Sequence, residues 1–207
     1  EVQHGRALAR WAKLADPSFD FDAAFKRFTD GVKIDTSRTA SIRGSRSGEL
    51  VARCIVETGT SSYYSAMMDA ADEPVLKEIC RYIAADEFRH YKLFYRYLKR
   101  YLAKERVGPV RRFFVALSRI TESEDDELAY AYYAANHGDE TYERRRFVKA
   151  YLRRGFGFYR HDHLERAVGM ALKAVGLKSN GRLNTVITGI AERWLRFRIN
   201  QLARAGA

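Results

Sequence analysis

Proline, cysteine and long apolar runs are all scarce in this chain of 207 residues. With 3 prolines and few Asn-Gly or Asp-Gly pairs, the turn signals that a many-stranded sheet needs are largely missing. No stretch approaches the roughly 18 consecutive apolar residues of a membrane-spanning helix. The polar start, Glu1-Val2-Gln3-His4, shows no signal-peptide pattern. These absences favour an all-helical protein, and we expect a cytoplasmic location.

Only two cysteines are present, Cys54 and Cys80. If the segments that contain them pair as antiparallel helices, the two thiols lie several turns apart, far beyond the reach of a disulfide. We therefore expect both to be core thiols of a protein in a reducing compartment.

Acidic residues are outnumbered by basic ones, which gives a net charge of +11 and a sequence pI near 9.7. Such an excess is typical of proteins with an anionic partner, such as nucleic acid, an acidic carrier protein or a phospholipid surface. It also fits a soluble protein that is merely basic, and charge alone does not select among these alternatives.

What the chain does have is an abundance of helix-forming residues, chiefly Ala, Leu, Arg, Glu and Lys. We predict an all-α fold in three parts: a helical N-terminal extension with a basic loop (1–47), a four-helix bundle (48–178) and a C-terminal amphipathic helix packed on the bundle (179–207). The four bundle helices are predicted at about 48–71, 74–104, 109–136 and 140–175, the last with a kink near Gly155-Phe156-Gly157.

The first two bundle helices contain the most informative residues. Glu87 and His90 are three residues apart, so on a helix both leave the same face, and apolar residues surround that face. Glu57 lies about fourteen residues before the turn Asp72-Glu73-Pro74, and Glu87 lies about fourteen residues after it. A helical hairpin with equal arms therefore places the two carboxylates side by side. Burying carboxylate and imidazole groups costs free energy, and binding a metal ion compensates for that cost. A metal-free buried network is the alternative.

The other two bundle helices offer further candidates. On the third, the apolar face points along Glu124, with Glu127 as the alternative. On the fourth, His161 and Glu165 fall on the apolar face, whereas His163 points to the opposite side and is predicted to be a surface residue. Four carboxylates and two imidazoles suit two iron or manganese ions. Salt bridges with core arginines such as Arg154 are the competing interpretation of this half of the site.

The segment Ile83-Ala84-Ala85-Asp86-Glu87-Phe88-Arg89-His90 resembles the metal-binding helix of the ferritin-like superfamily, in particular soluble acyl-carrier-protein desaturases and rubrerythrins. The segment just upstream, from Leu76 to Cys80, is also similar to the desaturases. This superfamily has carboxylate-bridged di-metal sites in four-helix bundles, with one Glu from each of two helices and Glu-x-x-His from each of the other two. The fourth predicted helix departs from the pattern, because Val168 stands where the second His is expected. Arylamine N-oxygenases are more similar there, since their His-x-x-x-Glu-x-x-His matches His161 and Glu165.

The resemblance implies a di-iron oxidoreductase that activates dioxygen or peroxide toward an organic substrate. Glu57 and Glu124 would be bridging or terminal acids, Glu87 and Glu165 would hold the metals from the second and fourth helices, and His90 and His161 would be terminal ligands. An acyl-carrier protein or tRNA would be an anionic partner suited to the basic surface, and a homodimer is compatible with the family. A rubrerythrin-like peroxide scavenger normally has a Cys-rich module, and no Cys-x-x-Cys occurs here. The remaining alternative is a non-catalytic basic adaptor that has lost part of its metal site.

Overall fold

The computed structural model describes residues 2–32, 40–122 and 126–204, and within these ranges it consists of helices with no strand. The all-α prediction is thus confirmed for the described residues. The helices are α1 (Val2–Ala15), α2 (Phe21–Gly31), α3 (Arg46–Ala70), α4 (Pro74–Glu105), α5 (Pro109–Glu122), α6 (Asp126–Asn136), α7 (Arg144–Gly157), α8 (His161–Val175) and α9 (Arg182–Arg204).

Helices α3 and α4 form the central antiparallel hairpin. The turn between them is fixed by Pro74 at the start of α4 and by Glu73, whose carboxylate accepts hydrogen bonds from the backbone N–H groups of Val75 (2.9 Å) and Leu76 (2.7 Å). At the other end of the hairpin, Glu105 accepts a hydrogen bond from the N–H of Ser47 (2.7 Å). Polar caps thus hold both ends of the hairpin and keep its two arms in register.

Four helices, α3, α4, α5 and α8, contribute to one hydrophobic core. Its buried members are Val51, Cys54, Ile55, Tyr91, Leu98, Ala116, Met170, Ala174 and Val175. Both cysteines are free and buried, as expected for core thiols, and burial raises the pKa of Cys54 to about 12. The hairpin therefore presents one flank to α5 and α8 and leaves another for the N-terminal helix.

The structure describes the predicted third helix, 109–136, as α5 and α6, and residues 123–125 between them lie outside the described residues. Helix α5 packs against α3 and α8, whereas α6 packs against α2 and α7.

The predicted fourth helix is also two, because α7 ends at Gly157 and α8 begins at His161. Two glycines, Gly155 and Gly157, weaken the helix at the predicted kink, and the chain leaves helical geometry there altogether. The aromatic residues of α6 and α7 pack around Phe147, which is fully buried. Helix α7 is therefore joined to α6 rather than to the core of α3, α4, α5 and α8.

Helix α9 packs on α7 and α8, and the ring of Trp194 lies edge-on to Phe156 with 5.9 Å between centroids. This agrees with the predicted C-terminal amphipathic helix. None of the described helices combines the length and the low polarity that crossing a membrane requires.

Candidate metal centre

Three of the predicted ligands, Glu57, Glu87 and His90, come together on the α3–α4 hairpin. The Nδ1 atom of His90 lies 3.6 Å from Oε2 of Glu57 and 3.5 Å from Oε2 of Glu87. Both glutamates are buried, with 8% and 2% of their surface exposed, while the His90 side chain is about a third exposed. The three donor atoms are close enough to share one metal ion.

Local helix geometry produces this arrangement. Glu87 and His90 share a face of α4 through their i, i+3 spacing, and the hairpin sets Glu57 of α3 beside them. Thr60, one turn after Glu57, donates its hydroxyl hydrogen to Oε2 of Glu87 (3.2 Å). Burial alone would raise the pKa of Glu87, but the hydrogen bonds with Glu57, Thr60 and His90 outweigh it and lower that pKa below its ordinary value. The site thus favours a carboxylate at Glu87, the form that binds a cation.

A fourth side chain, His4 of α1, reaches the same cluster. Its Nδ1 lies 3.3 Å from Oε1 of Glu87, and its Nε2 lies 3.2 Å from Oδ2 of Asp86. Helix α1 runs antiparallel to α4 and is also held by Trp11, whose indole N–H donates to Glu73 at 2.6 Å. Sequence reasoning missed His4, because no motif surrounds this histidine. The amphipathic character of 2–15 would have signalled a packed helix, but not its partner.

The geometry fits a metal ion. Donor atoms about 2.1 Å from one ion lie about 3.0 to 3.4 Å apart when they subtend angles of about 90 to 110°. The distances from Nδ1 of His90 to Oε2 of Glu57 and Oε2 of Glu87, 3.6 and 3.5 Å, are close to that range, and the 3.3 Å between His4 and Glu87 brings a second imidazole to the other oxygen of the Glu87 carboxylate. The Asp86–His4 contact matches the carboxylate–histidine–metal arrangement, in which an outer carboxylate orients the ring of a ligating histidine. Mixed carboxylate and imidazole donors suit iron or manganese.

The remaining predicted ligands lie elsewhere or outside the described residues. His161, at the start of α8, is exposed and its Nδ1 lies 3.1 Å from a carboxylate oxygen of Glu192 on α9. Glu165 is exposed on α8, and the alternative residue Glu127 is exposed on α6. Glu124 lies outside the described residues. The structure therefore does not bring His161 or Glu165 to the cluster on the α3–α4 hairpin.

Arg154, the competing partner predicted for these residues, is engaged differently. Its guanidinium lies over the ring of Tyr132 at 5.1 Å, and it donates to the backbone oxygen of Ala150. On α8, Arg166 faces the hairpin, and its nitrogens lie 3.4 Å from Oγ of Ser65 and 3.5 Å from Oγ of Ser61. Helix α8 thus presents a cation to the hairpin where the four-helix ligand pattern expects a carboxylate.

The prediction that His163 is a surface residue is wrong. It is 5% exposed; its Nδ1 accepts the backbone N–H of Arg160 at 3.1 Å, and its Nε2 lies 2.9 Å from Oδ2 of Asp69. The prediction assumed one helix from 140 to 175, whereas the break before His161 resets the helical phase. Asp69, Asp162 and His163 are near enough to hold an ion. Because His163 accepts from the Arg160 N–H at the start of α8 and also reaches Asp69 of α3, we interpret this group as the anchor of the α8 N-terminus.

Comparisons with protein-family models, with curated proteins and with solved structures gave no match to this chain.

Proposed function

We propose that this protein binds one iron or manganese ion through Glu57, Glu87, His90 and His4, and that it is an oxidoreductase. The observation that supports the proposal is the convergence of two buried carboxylates and two imidazoles from three helices. A redox-active ion in such a set of ligands supplies the activation of dioxygen or peroxide that the ferritin-like resemblance implies. No described contact identifies the organic substrate or the electron donor.

The residues around the ligands have positioning roles in this proposal. Thr60 orients Glu87 through its hydroxyl, and Asp86 orients the His4 ring. His90 is the most exposed of the three predicted ligands, so the approach to the metal lies on its side of α4. Glu57 and Glu87 supply two negative charges, which offset those of a divalent cation in a buried setting.

The proposal of one ion replaces the expectation of two. A second ion would need ligands from the third and fourth predicted helices. His161 and Glu165 point away from the cluster, as their exposure and the His161–Glu192 contact indicate. The ferritin-like assignment itself remains a proposal that rests on residues 83–90 and Glu57.

A second candidate function is that of a non-catalytic basic binding protein. The specific observation in its favour is Arg166, a cation that α8 turns toward the hairpin. In this view the Glu57–Glu87–His90 cluster is a buried ion-pair network without a metal.

Metal content distinguishes these alternatives. We would purify the wild-type protein, Glu87→Ala and the matched control Glu165→Ala, load each anaerobically with Fe(II), and measure bound metal after gel filtration. We expect close to one ion per chain in the wild type and in Glu165→Ala, and loss of the ion in Glu87→Ala. Thermal unfolding of each variant without metal checks that the loss does not reflect misfolding.

The alternatives predict different numbers of bound metal ions per chain. Two ions, one of which is lost in Glu165→Ala, would support the four-helix ligand set and contradict the one-ion proposal. No bound metal in the wild type would overturn the oxidoreductase and leave the basic binding protein.

A further inference from the structure

A groove of about 660 Å³ runs between α4 and α8, on a flank of α4 away from His90. Five exposed cations line it: Lys92, Arg96, Lys99, Arg166 and Lys173. Two acids, Asp162 and Glu165, lie at one end, so the charged side chains of the groove sum to +3. This is the α4–α8 groove.

Four of the five cations are arranged in two facing pairs. Lys92 of α4 and Arg166 of α8 lie over the ring of Phe88, at 4.3 and 5.1 Å from its centroid. Seven residues further along both helices, Lys99 and Lys173 lie over the ring of Tyr95, at 5.5 and 5.2 Å. Each ring thus holds one cation from each helix, and each pair forms a basic station.

No carboxylate neutralises these stations within the described part of the chain, where none of the five cations forms a salt bridge. By contrast, Arg81, Arg89, Arg146 and Arg196 are each paired with a nearby acid. Like charges that face each other across a concave surface repel, and they produce a positive potential that attracts anions. The arrangement favours an anionic ligand in the groove.

The spacing of the stations restricts that ligand. Seven residues of helix rise about 10.5 Å, so a single phosphate group cannot occupy both stations. The ligand must present several negative charges along this length. A nucleic-acid strand carries about one charge per 3.4 Å in helical form, which places about three phosphate steps between the two stations. The groove volume of about 660 Å³ accommodates one strand along this length rather than a duplex.

We propose that the α4–α8 groove binds the sugar–phosphate backbone of single-stranded nucleic acid, with the two stations contacting phosphates along the strand. The net charge of +11 supports the proposal, because a long polyanion is attracted by the charge of the whole molecule as well as by the groove. The Phe88 and Tyr95 rings hold the cations in position. This site is separate from the metal centre and does not depend on the proposed oxidoreductase function.

The test is fluorescence anisotropy with a labelled single strand of about 12 nucleotides, titrated with the full chain at KCl concentrations from about 50 to 200 mM. The groove variant is Lys92→Ala/Lys99→Ala/Lys173→Ala. The matched control is Lys77→Ala/Arg145→Ala/Arg193→Ala, which removes the same charge from exposed positions outside the groove. Glu87→Ala is measured alongside, and circular dichroism with thermal unfolding verifies the fold of every variant.

We expect the Kd of the groove variant to rise about tenfold or more, and the slope of log K against log salt to become shallower by about 2, because each lost phosphate contact removes about 0.7. The control variant and Glu87→Ala should keep the wild-type slope and bind within about twofold of it. An equal loss of affinity in the groove and control variants would overturn the proposal, because binding would then depend on the overall positive charge and not on the groove. Equally tight binding of a duplex would also overturn it, as would groove-dependent binding of an acidic carrier protein with no binding of the strand.

Discussion

At the scale of single residues, the candidate metal centre combines three side chains that a local pattern predicts with one that it does not. Glu87 and His90 are separated by three residues, and Glu57 follows from the hairpin, so all three could be predicted. His4 depends on a contact between residues 82 positions apart in sequence. Asp86 belongs to the quoted motif, yet besides Arg89 on the same helix it contacts the distant ring of His4.

The Asp86–His4 contact leads to a prediction about metal affinity. The hydrogen bond with His4 lowers the pKa of Asp86, so this residue is a carboxylate at neutral pH. Asp86→Asn removes the charge while keeping the shape, and we expect metal affinity to fall by about 10- to 100-fold, the usual effect of losing an outer-shell partner. Competition with a chromophoric chelator measures the metal affinity of each variant. Glu78→Gln is the control, since Glu78 pairs with Arg81 on the same helix; an equal effect in both variants would contradict the role of Asp86.

At the scale of helices, the hairpin of α3 and α4 was predictable and the later helices were not. The hairpin has Pro74 at its turn and apolar residues at helical spacing along both arms, all of which are local signals. The break after Gly157 decides the phase and the neighbours of α8. A continuous helical wheel across such a break assigns faces incorrectly, which is how His163 was placed on the surface.

Helix α1 gives a prediction at this scale. If His4 ligates the metal, the metal must stabilise the docked position of α1, because binding and docking are thermodynamically linked. Trp11 donates a hydrogen bond to Glu73, so its fluorescence reports on the docking of α1. The substitution Trp194→Phe leaves Trp11 as the sole tryptophan. We expect Fe(II) to protect Trp11 from a soluble quencher such as acrylamide in the Trp194→Phe protein. Adding His4→Ala should abolish that metal-dependent protection, whereas unchanged protection would show that α1 docks independently of the metal.

At the scale of the whole molecule, the most prominent feature is the excess of positive charge. The chain has 37 basic and 26 acidic residues, and the described structure gathers five unpaired cations in the α4–α8 groove. Exposed apolar side chains also lie along α5 and α9, Phe113 and Trp194 among them. A homodimer remains a prediction, for which the mass in solution is the measurement.

The carboxylates at the helix N-termini lead to a prediction about pH. Backbone hydrogen bonds from Val75 and Leu76 lower the pKa of Glu73, and hydrogen bonds from Ser47 lower that of Glu105, both from about 4.5. A carboxyl whose pKa is lower in the folded state stabilises the fold above the unfolded-state pKa, and this stabilisation is lost as the pH falls through the folded-state pKa. We therefore expect a Tm that is nearly constant above about pH 6 and falls steeply below about pH 4.5, helped by the growing positive charge.

Thermal unfolding of Glu73→Gln/Glu105→Gln provides the check. This variant should have a lower Tm than the wild type at pH 7 and a smaller further decrease between pH 5 and 3. Glu127→Gln/Asp139→Asn, which changes two exposed carboxyl groups, is the control and should follow the wild-type curve. A control that flattens the curve equally would assign acid sensitivity to net charge rather than to the helix caps.

The sequence by itself determined the all-α class, the α3–α4 hairpin and the grouping of Glu57, Glu87 and His90. These features depend on helical periodicity, on one proline turn and on i, i+3 spacing, all of which act over short stretches of chain. Only the tertiary structure decided that His4 joins the site, that α8 turns Arg166 rather than Glu165 toward the hairpin, and that two rows of cations face each other. Those outcomes depend on which surfaces are buried together and on the phase of each helix after a break. Both are set by packing between segments far apart in sequence.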